Sequence, residues 1–369
     1  MLRRVLRFLK KEMVFTVSAL IALITACFVL PDRAYWDYID WKVLALLLSL
    51  MAVVAGLKGC GAFRALSAFL LRRCKNGRVL SLILVMLPFF TSMLITNDVA
   101  LLTFVPFTAL LLEEIGQEKA LIPMLVLQTV AANLGSMATP VGNPQNLFLY
   151  SAYSMEAGAF FAAVLPLTAA SFLLLFLCAM FVLPKDLPMP EIKQETVGDK
   201  KKLAVYMILF LICLLVVFRV LHFAVALLLV LIALFFLDRH LLRELDYMLL
   251  LTFVCFFTVS GNLGRIEPVK AFLAALLEKN TLLTAVGASQ VISNVPAAVL
   301  LRTFTEDAKS LLMGMNIGGL GTPIASLASL ITLKLYLALP GAKGGRFLAL
   351  FTAVNAAGLV ILLLLAAVL

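Results

Sequence analysis

The chain has 369 residues, 63% of them hydrophobic and only 14% charged, and this composition excludes a water-soluble fold. A formal net charge of +10 would suit nucleic acid in a soluble protein. Here the basic residues flank apolar runs, where they set orientation across a bilayer, so no nucleic-acid partner is expected. The six cysteines are scattered, with no CxxC pair or Cys/His cluster, so neither a metal nor a cofactor is expected.

Charge-free runs cover 13–31, 43–57, 120–155, 157–184, 203–218, 220–237, 247–264, 280–301, 310–333 and 347–369, and a span needs roughly 17–25 apolar residues. Residues 1–30, with Arg3, Arg4, Arg7, Lys10 and Lys11 ahead of an apolar run, have the pattern of a signal peptide, and Ile24 to Cys27 loosely resembles a lipoprotein cleavage site. A first span has the same physics and is the reading adopted here, with the N-terminus cytoplasmic and 32–40 outside. Residues 41–57 return. Lys58, Arg64, Arg72, Arg73, Lys75 and Arg78 follow without an acid, and Phe63, Leu66, Phe69 and Leu70 at helical spacing predict an amphipathic helix on the cytoplasmic face. From 79 to 112 the only charge is Asp98. Residues 120–155 run outward and 157–183 inward. Pro184 to Lys202, with four acids and five lysines, is an extended polar linker on the cytoplasmic side. Beyond it, 203–218, 223–237 and 246–263 cross in turn, 309–338 returns, and 347–369 leaves the C-terminus external. Lys334 is placed to snorkel, and His222 and His240 lie at loop positions.

The sequence also carries an internal repeat. ANLGSMATPVGNPQNL (132–147) aligns without gaps on MNIGGLGTPIASLASL (315–330), sharing Asn133/Asn316, Gly135/Gly318, Thr139/Thr322, Pro140/Pro323 and Leu147/Leu330. Upstream, SMLITNDVA (92–100) aligns on SQVISNVPA (289–297), matching Asn97 with Asn294, and IDW at 39–41 parallels LDY at 245–247. Because one extra span precedes the second copy, the copies have opposite orientations. The expected organisation is a first inverted repeat over 1–183 (hairpin 79–113, broken helix 119–155), a linker at 184–202, and a second repeat over 203–369 (hairpin 280–305, broken helix 309–338). The expected fold is an all-α polytopic membrane protein with about nine crossing helices, two of them broken mid-membrane, and two re-entrant hairpins.

The chemistry lies in the repeat. The 36-residue run 120–155 is too long for one straight helix, and Gly135, Thr139, Pro140, Gly142, Asn143 and Pro144 interrupt it. Unwound backbone in a membrane must face protein or a water-filled cavity. Its carbonyls, with the hydroxyls of Ser136 and Thr139, are hard ligands suited to a small cation. Gly318, Gly319, Thr322 and Pro323 repeat the arrangement; a packing kink is the competing reading. The segments around Thr96-Asn97-Asp98 and Ser293-Asn294 are either turns between spans or tips of re-entrant hairpins. The 22 uncharged residues of 280–301 are too few for two crossings, so both are read as tips. A half-helix starting at Asn97 or Asn294 would offer free N–H groups and a positive dipole end, a seat for an anion. Asp98 is placed to ligate a cation, to carry a proton, or to cap the second hairpin helix.

On these residues the chain resembles the superfamily of arsenite permeases, bacterial sodium–proton antiporters, and citrate and di- or tricarboxylate permeases. TNDVALLTFVPFTALLL, ISNVPAAVLL and NIGGLGTPIASLASLITL are similar to the arsenite-permease hairpins and second broken helix, and ANLGSMATPVGNPQNLFLY to the citrate-permease branch. The resemblance implies an elevator-type carrier of the inner membrane, a homodimer, whose hairpin tips and unwound loops bind a small anionic solute and sodium. Both tips lack the third Thr of the dicarboxylate pattern, which leaves sodium and proton coupling equally open. The leading expectation is ion-coupled transport of a small anion. Efflux of arsenite or antimonite, and sodium–proton exchange, are the alternatives on the same scaffold. An intramembrane enzyme is remote, because no metal cluster, HExxH, GxSxG or pair of intramembrane acids is present.

Overall fold

A computed structural model of the chain describes residues 12–72, 74–187 and 198–369. The five basic residues expected to hold the N-terminus inside, Arg73, and most of the 184–202 linker lie outside the described residues. Every regular element within them is a helix. In chain order these are α1 (Met13–Phe28), the short α2 (Ala34–Tyr38), α3 (Trp41–Gly59), α4 (Ala62–Leu71), α5 (Gly77–Thr91), α6 (Asn97–Glu114), α7 (Leu121–Ser136), α8 (Pro144–Ala152) and α9 (Ala157–Ala179). The second part holds α10 (Lys200–Val217), α11 (Phe223–Leu237), α12 (Leu241–Glu244), α13 (Tyr247–Gly264), α14 (Glu267–Ile292), α15 (Asn294–Arg302), α16 (Ala308–Ile317), α17 (Leu327–Leu337) and α18 (Gly344–Ala366).

Five of these, α3, α9, α13, α14 and α18, are individually long and apolar enough to cross a membrane. That is fewer than the charge-free runs suggest, and the reason is local. The runs 120–155 and 310–333 are each cut into two pieces, and α7 with its 16 residues reaches only roughly 24 Å, short of the ~30 Å hydrocarbon core.

Side-chain caps set several boundaries. Asp40 and Asp246, the acids of the IDW and LDY landmarks, start α3 and α13 in the same way, accepting from Val43 N and Leu249 N at 2.9 Å each. Asn76 caps α5 through Val79 N at 3.0 Å, and Asp307 caps α16 through Ser310 N at 3.0 Å. α14 is bent at Asn280, whose φ of −167° and ψ of 98° are not helical. There Asn280 Oδ1 accepts from Leu283 N at 2.8 Å and starts a new helical piece, so the charge-balanced stretch 267–279 is separated from the apolar arm after it.

Polarity is distributed inside out. Leu228, Phe236, Phe181 and Leu364 are exposed, whereas Gln128, Asn133, Asn146 and Asn355 are buried, the arrangement expected when the surrounding solvent is hydrocarbon. On α4, Phe63 and Leu70 pack against the core while Leu66 and Phe69 remain exposed, so the helix offers an apolar edge to an interface. α10 and α11 pack on α3, and α1 packs on α13. Elsewhere α7 is lined by α5, α6, α9 and α18, and α14 and α15 flank α16. Around the broken helices the halves also meet where α17 packs on α6 and α15 on α8.

The end of the linker is tied down at the foot of α10. Lys202 Nζ reaches Asp238 Oδ1 at 2.7 Å and Tyr206 Oη donates to Asp238 Oδ2 at 2.8 Å. Burial opposes ionisation of Asp238, but the hydrogen bonds from Lys202 and Tyr206 outweigh it and hold the carboxyl below its ordinary value. A depressed folded value means that the stabilisation is complete at neutral pH, declines as pH falls past the unfolded carboxylate value of about 3.9, and is gone below the folded one. Asp238→Asn should therefore lower the unfolding temperature at pH 7 and flatten its decline below pH ~4, measured on detergent-purified protein.

Candidate functional site

Both long runs are interrupted where Gly and Pro gather. In the first half α7 stops at Ser136, residues 137–143 are non-helical, and α8 starts at Pro144. Asn143 caps α8, its Oδ1 accepting from Asn146 N at 2.9 Å, with Pro144 at the first helical position. In the second half α16 stops at Ile317, residues 318–322 are non-helical, and a 3₁₀ turn at Pro323–Ala325 precedes α17. Pro140 thus sits in the first unwound segment, and Pro323 opens the 3₁₀ turn that follows the second. The turn 92–96 joins α5 to α6, and Ser293 alone joins α14 to α15, with a φ of 71° that is unusual for a residue with a side chain.

The two unwound segments meet, and their asparagines are bonded crosswise. Asn133 Oδ1 accepts from Asn97 Nδ2 at 3.0 Å and from Ser326 Oγ at 2.9 Å. Its Nδ2 donates to Ser329 Oγ at 3.3 Å and Gly319 O at 3.5 Å, so the amide's bonding capacity is used in full. Asn316 Oδ1 accepts from Asn143 Nδ2 at 3.3 Å, and Asn316 Nδ2 donates to Asn146 Oδ1 at 2.8 Å and Leu312 O at 2.9 Å. In the repeat alignment Asn133 corresponds to Asn316, Asn143 to Ser326 and Asn146 to Ser329. Each asparagine is therefore held by the same two positions of the opposite half.

Within each half the loop is also fastened to its own hairpin at matched positions. Thr139 Oγ1 donates to Met93 O, and Thr322 Oγ1 to Gln290 O at 3.2 Å. Gly142 O accepts from Asn97 N at 3.3 Å, and its counterpart Ala325 O accepts from Ser293 Oγ, one position before the counterpart of Asn97, at 3.4 Å. Ser136 Oγ donates to Asn133 O at 2.9 Å and accepts from Asn143 Nδ2 at 3.1 Å.

Of the residues singled out in the sequence, Asn97, Asn133, Ser136, Thr139, Asn143, Ser293, Asn316 and Thr322 are joined by these bonds. Asn294 lies beside Gly319, its Nδ2 3.0 Å from where a Cβ on that glycine would stand. Gly135 serves close packing, since a Cβ there would collide with the Phe89 carbonyl of α5, and Gly318 is similarly pressed against Ser289. Thr96 and Ser293 precede α6 and α15 without a side-chain capping bond, although Asn97 N is taken by Gly142 O and Asp98 N by Asn97 Oδ1. Asp98 does not cap α6. Its backbone N donates to Asn97 Oδ1 at 3.0 Å, and its own Oδ1 is buried with no hydrogen-bond partner. No Lys, Arg or His takes part in the bonds that tie Asn133 and Asn316 to the opposite half.

Four participants escaped the sequence reading: Asn146, Gln290, Ser326 and Ser329. A signal for three of them was present, because 143/326 and 146/329 are polar in both copies although the residue types differ. Gln290 is aligned with Met93 and carries no such mark.

Helices interrupted around a shared polar centre, inside a bundle that turns its apolar side chains outward, define an integral membrane transporter. The chain matches the citrate transporter family model over residues 5–309 and belongs to that family. It is 33% identical over 317 residues to an uncharacterised transporter of Methanocaldococcus jannaschii, covering 84% of each chain. It is 30% identical over 336 residues to the inner membrane protein YbiR of Escherichia coli, covering 89% of each. The silicon efflux transporter LSI3 of Oryza sativa is 34% identical over 152 residues, which is 40% of this chain and 30% of its own. The family, the archaeal relative and the rice relative are named as transporters rather than enzymes, and the superfamily resemblance carried by the motifs stands.

Asn133→Ala and Asn316→Ala would each leave buried partners unsatisfied, at about 1–3 kcal/mol per group. Both should lower the unfolding temperature of purified protein markedly. Ser329→Ala, which removes a single long bond, should do so by much less.

Proposed function

We propose that this chain is an ion-coupled carrier of a small anion, with a di- or tricarboxylate as the leading candidate, bound where the crossed asparagines meet. The observation that carries this reading is the exchange of bonds between matched positions: two copies of one motif enclose a common polar centre reached by the N-termini of α6 and α15. Helix N-termini and neutral amide donors favour negative charge without requiring a cationic side chain. The solute-binding set is Thr96, Asn97, Asp98, Asn133, Ser136, Thr139, Asn143, Ser293, Asn294, Asn316 and Thr322, with Gly135, Pro140, Gly318, Gly319 and Pro323 shaping the loops.

In this reading 1–183 and 203–369 are inverted repeats joined by a cytoplasmic linker, and the segments around Asn97 and Asn294 are re-entrant tips. The protein sits in the inner membrane as a homodimer with its N-terminus inside and C-terminus outside, and moves its site by an elevator motion. A second reading rests on the purely neutral side chains of the network. They suit an uncharged hydroxylated solute such as arsenite or silicic acid, in keeping with the named activity of the rice relative.

Uptake into proteoliposomes from a panel of carboxylates, sulfate, arsenite and silicic acid separates the two readings. Asn97→Ala and Asn294→Ala should each abolish or severely weaken binding at near-normal expression; normal transport by both would make these residues packing groups. Single-cysteine labelling should find Lys75 and Glu114 inside, and Glu278 and Asp307 both outside. Labelling of the last two from opposite sides would rule out the second re-entrant hairpin.

Asp98, with its unpartnered oxygen, is the group proposed to sense the coupling ion. If it carries a proton, Asp98→Asn should bind solute with little dependence on pH and lose accumulation driven by a proton gradient. If it ligates sodium, the same change should weaken sodium dependence and leave the pH response alone. Normal coupling to both ions in the variant would remove Asp98 from the mechanism.

A further inference from the structure

Unwound loops in a membrane expose carbonyl oxygens, and those oxygens are ready ligands for a small cation unless a protein donor takes them first. In both halves of this chain a side-chain amide takes them. Gln290 Nε2 donates to Gly318 O at 2.9 Å and Leu320 O at 3.0 Å, with Val286 O more distant at 3.3 Å. The other end of the same amide faces the loop as well, Oε1 accepting from Thr322 N at 2.9 Å. In the first half Asn146 Nδ2 donates to Met137 O and Thr139 O at 3.2 Å each. Met137 and Leu320 are equivalent positions of the repeat, so corresponding carbonyls are covered from two different directions.

The second loop is shaped around its amide. Gly321 has a φ of +105°, and a Cβ there would collide with Gln290 Oε1. Its counterpart in the first half is Ala138, and the counterpart of Gln290 is Met93. Where the hairpin sends no amide into the loop, the loop carries a side chain; where it sends one, the loop carries glycine. An –NH₂ group held between two carbonyls is also the electrostatic counterpart of a bound cation, presenting positive hydrogens to the same lone pairs. A sodium ion entering either loop would have to displace that amide and strand its donors.

We propose that the amides of Gln290 and Asn146 occupy the places between loop carbonyls that a sodium ion would otherwise take, so that solute binding at these loops needs no sodium. This rests on the carrier reading given above and narrows where its coupling ion can bind.

The test is thermal unfolding of the full chain in detergent, in NaCl against choline chloride at equal ionic strength, a readout independent of which solute is carried. The wild-type midpoint should be the same in both salts. Gln290→Glu, which exchanges the donors for a carboxylate beside the same carbonyls, should gain a sodium-specific rise of about 2 °C or more. If that variant does not fold, Gln290→Met, the residue of the matched position, should show a smaller rise of the same sign. A sodium-specific rise in the wild type overturns the proposal. So does a folded variant that sodium leaves unchanged, because the amide would then not stand in a cation's place. Failure of the carrier reading itself would appear instead in the uptake panel, with the salt responses intact.

Discussion

Backbone that leaves the helix inside a membrane has no solvent to fall back on, and every N–H and C=O it frees must be met by the protein. The site follows from that constraint. Two helices are broken where Gly and Pro collect, and the hydrogen-bonding groups thus freed are met by hairpin tips, by hydroxyls and above all by asparagine side chains. An amide serves well because it donates and accepts at once. Asn133 receives Asn97 and Ser326 on its oxygen while its nitrogen reaches Ser329 and Gly319, so one side chain ties a hairpin and both loops together.

The surrounding helices are arranged to make that meeting possible. α17 lies on α6 and α15 on α8, so each second hairpin arm packs against the far piece of the opposite broken helix. The backbone contact across Gly135, where α7 approaches the Phe89 carbonyl of α5, brings the first break close to the turn that joins α5 to α6. Burial of apolar area contributes less between helices in lipid than in water, and close small-residue contacts and polar bonds of this kind take its place.

Much of this was legible in the sequence, for physical reasons that differ between elements. The breaks at 137–143 and 318–322 could be read because Pro and Gly act locally. The boundary at Asn280 could be read because charge stops there, and the structure puts a bend and a cap at that residue. The matched caps at Asp40 and Asp246 were visible as three-letter echoes. What could not be read was which polar groups would face each other across about half the chain's length. Ser326 and Ser329 pair with an asparagine through a contact that no local pattern encodes, and Gln290 looked like any polar residue in an apolar arm. Asp98 was legible as an anomaly but not in its setting, since the absence of a partner for Oδ1 depends on the packing around it.

The crossed bonds also bear on how the protein is made. The bond from Asn143 to Asn316 joins residues 173 positions apart, and at about 5–20 residues per second the ribosome needs roughly 10–35 s to bridge that distance. Through that interval the first unwound loop has its partners from its own half but not those of the second. Its amides must be kept wet or be lent temporary partners until the second half arrives. The nascent first half thus carries asparagines whose far partners arrive only when the second half closes on it.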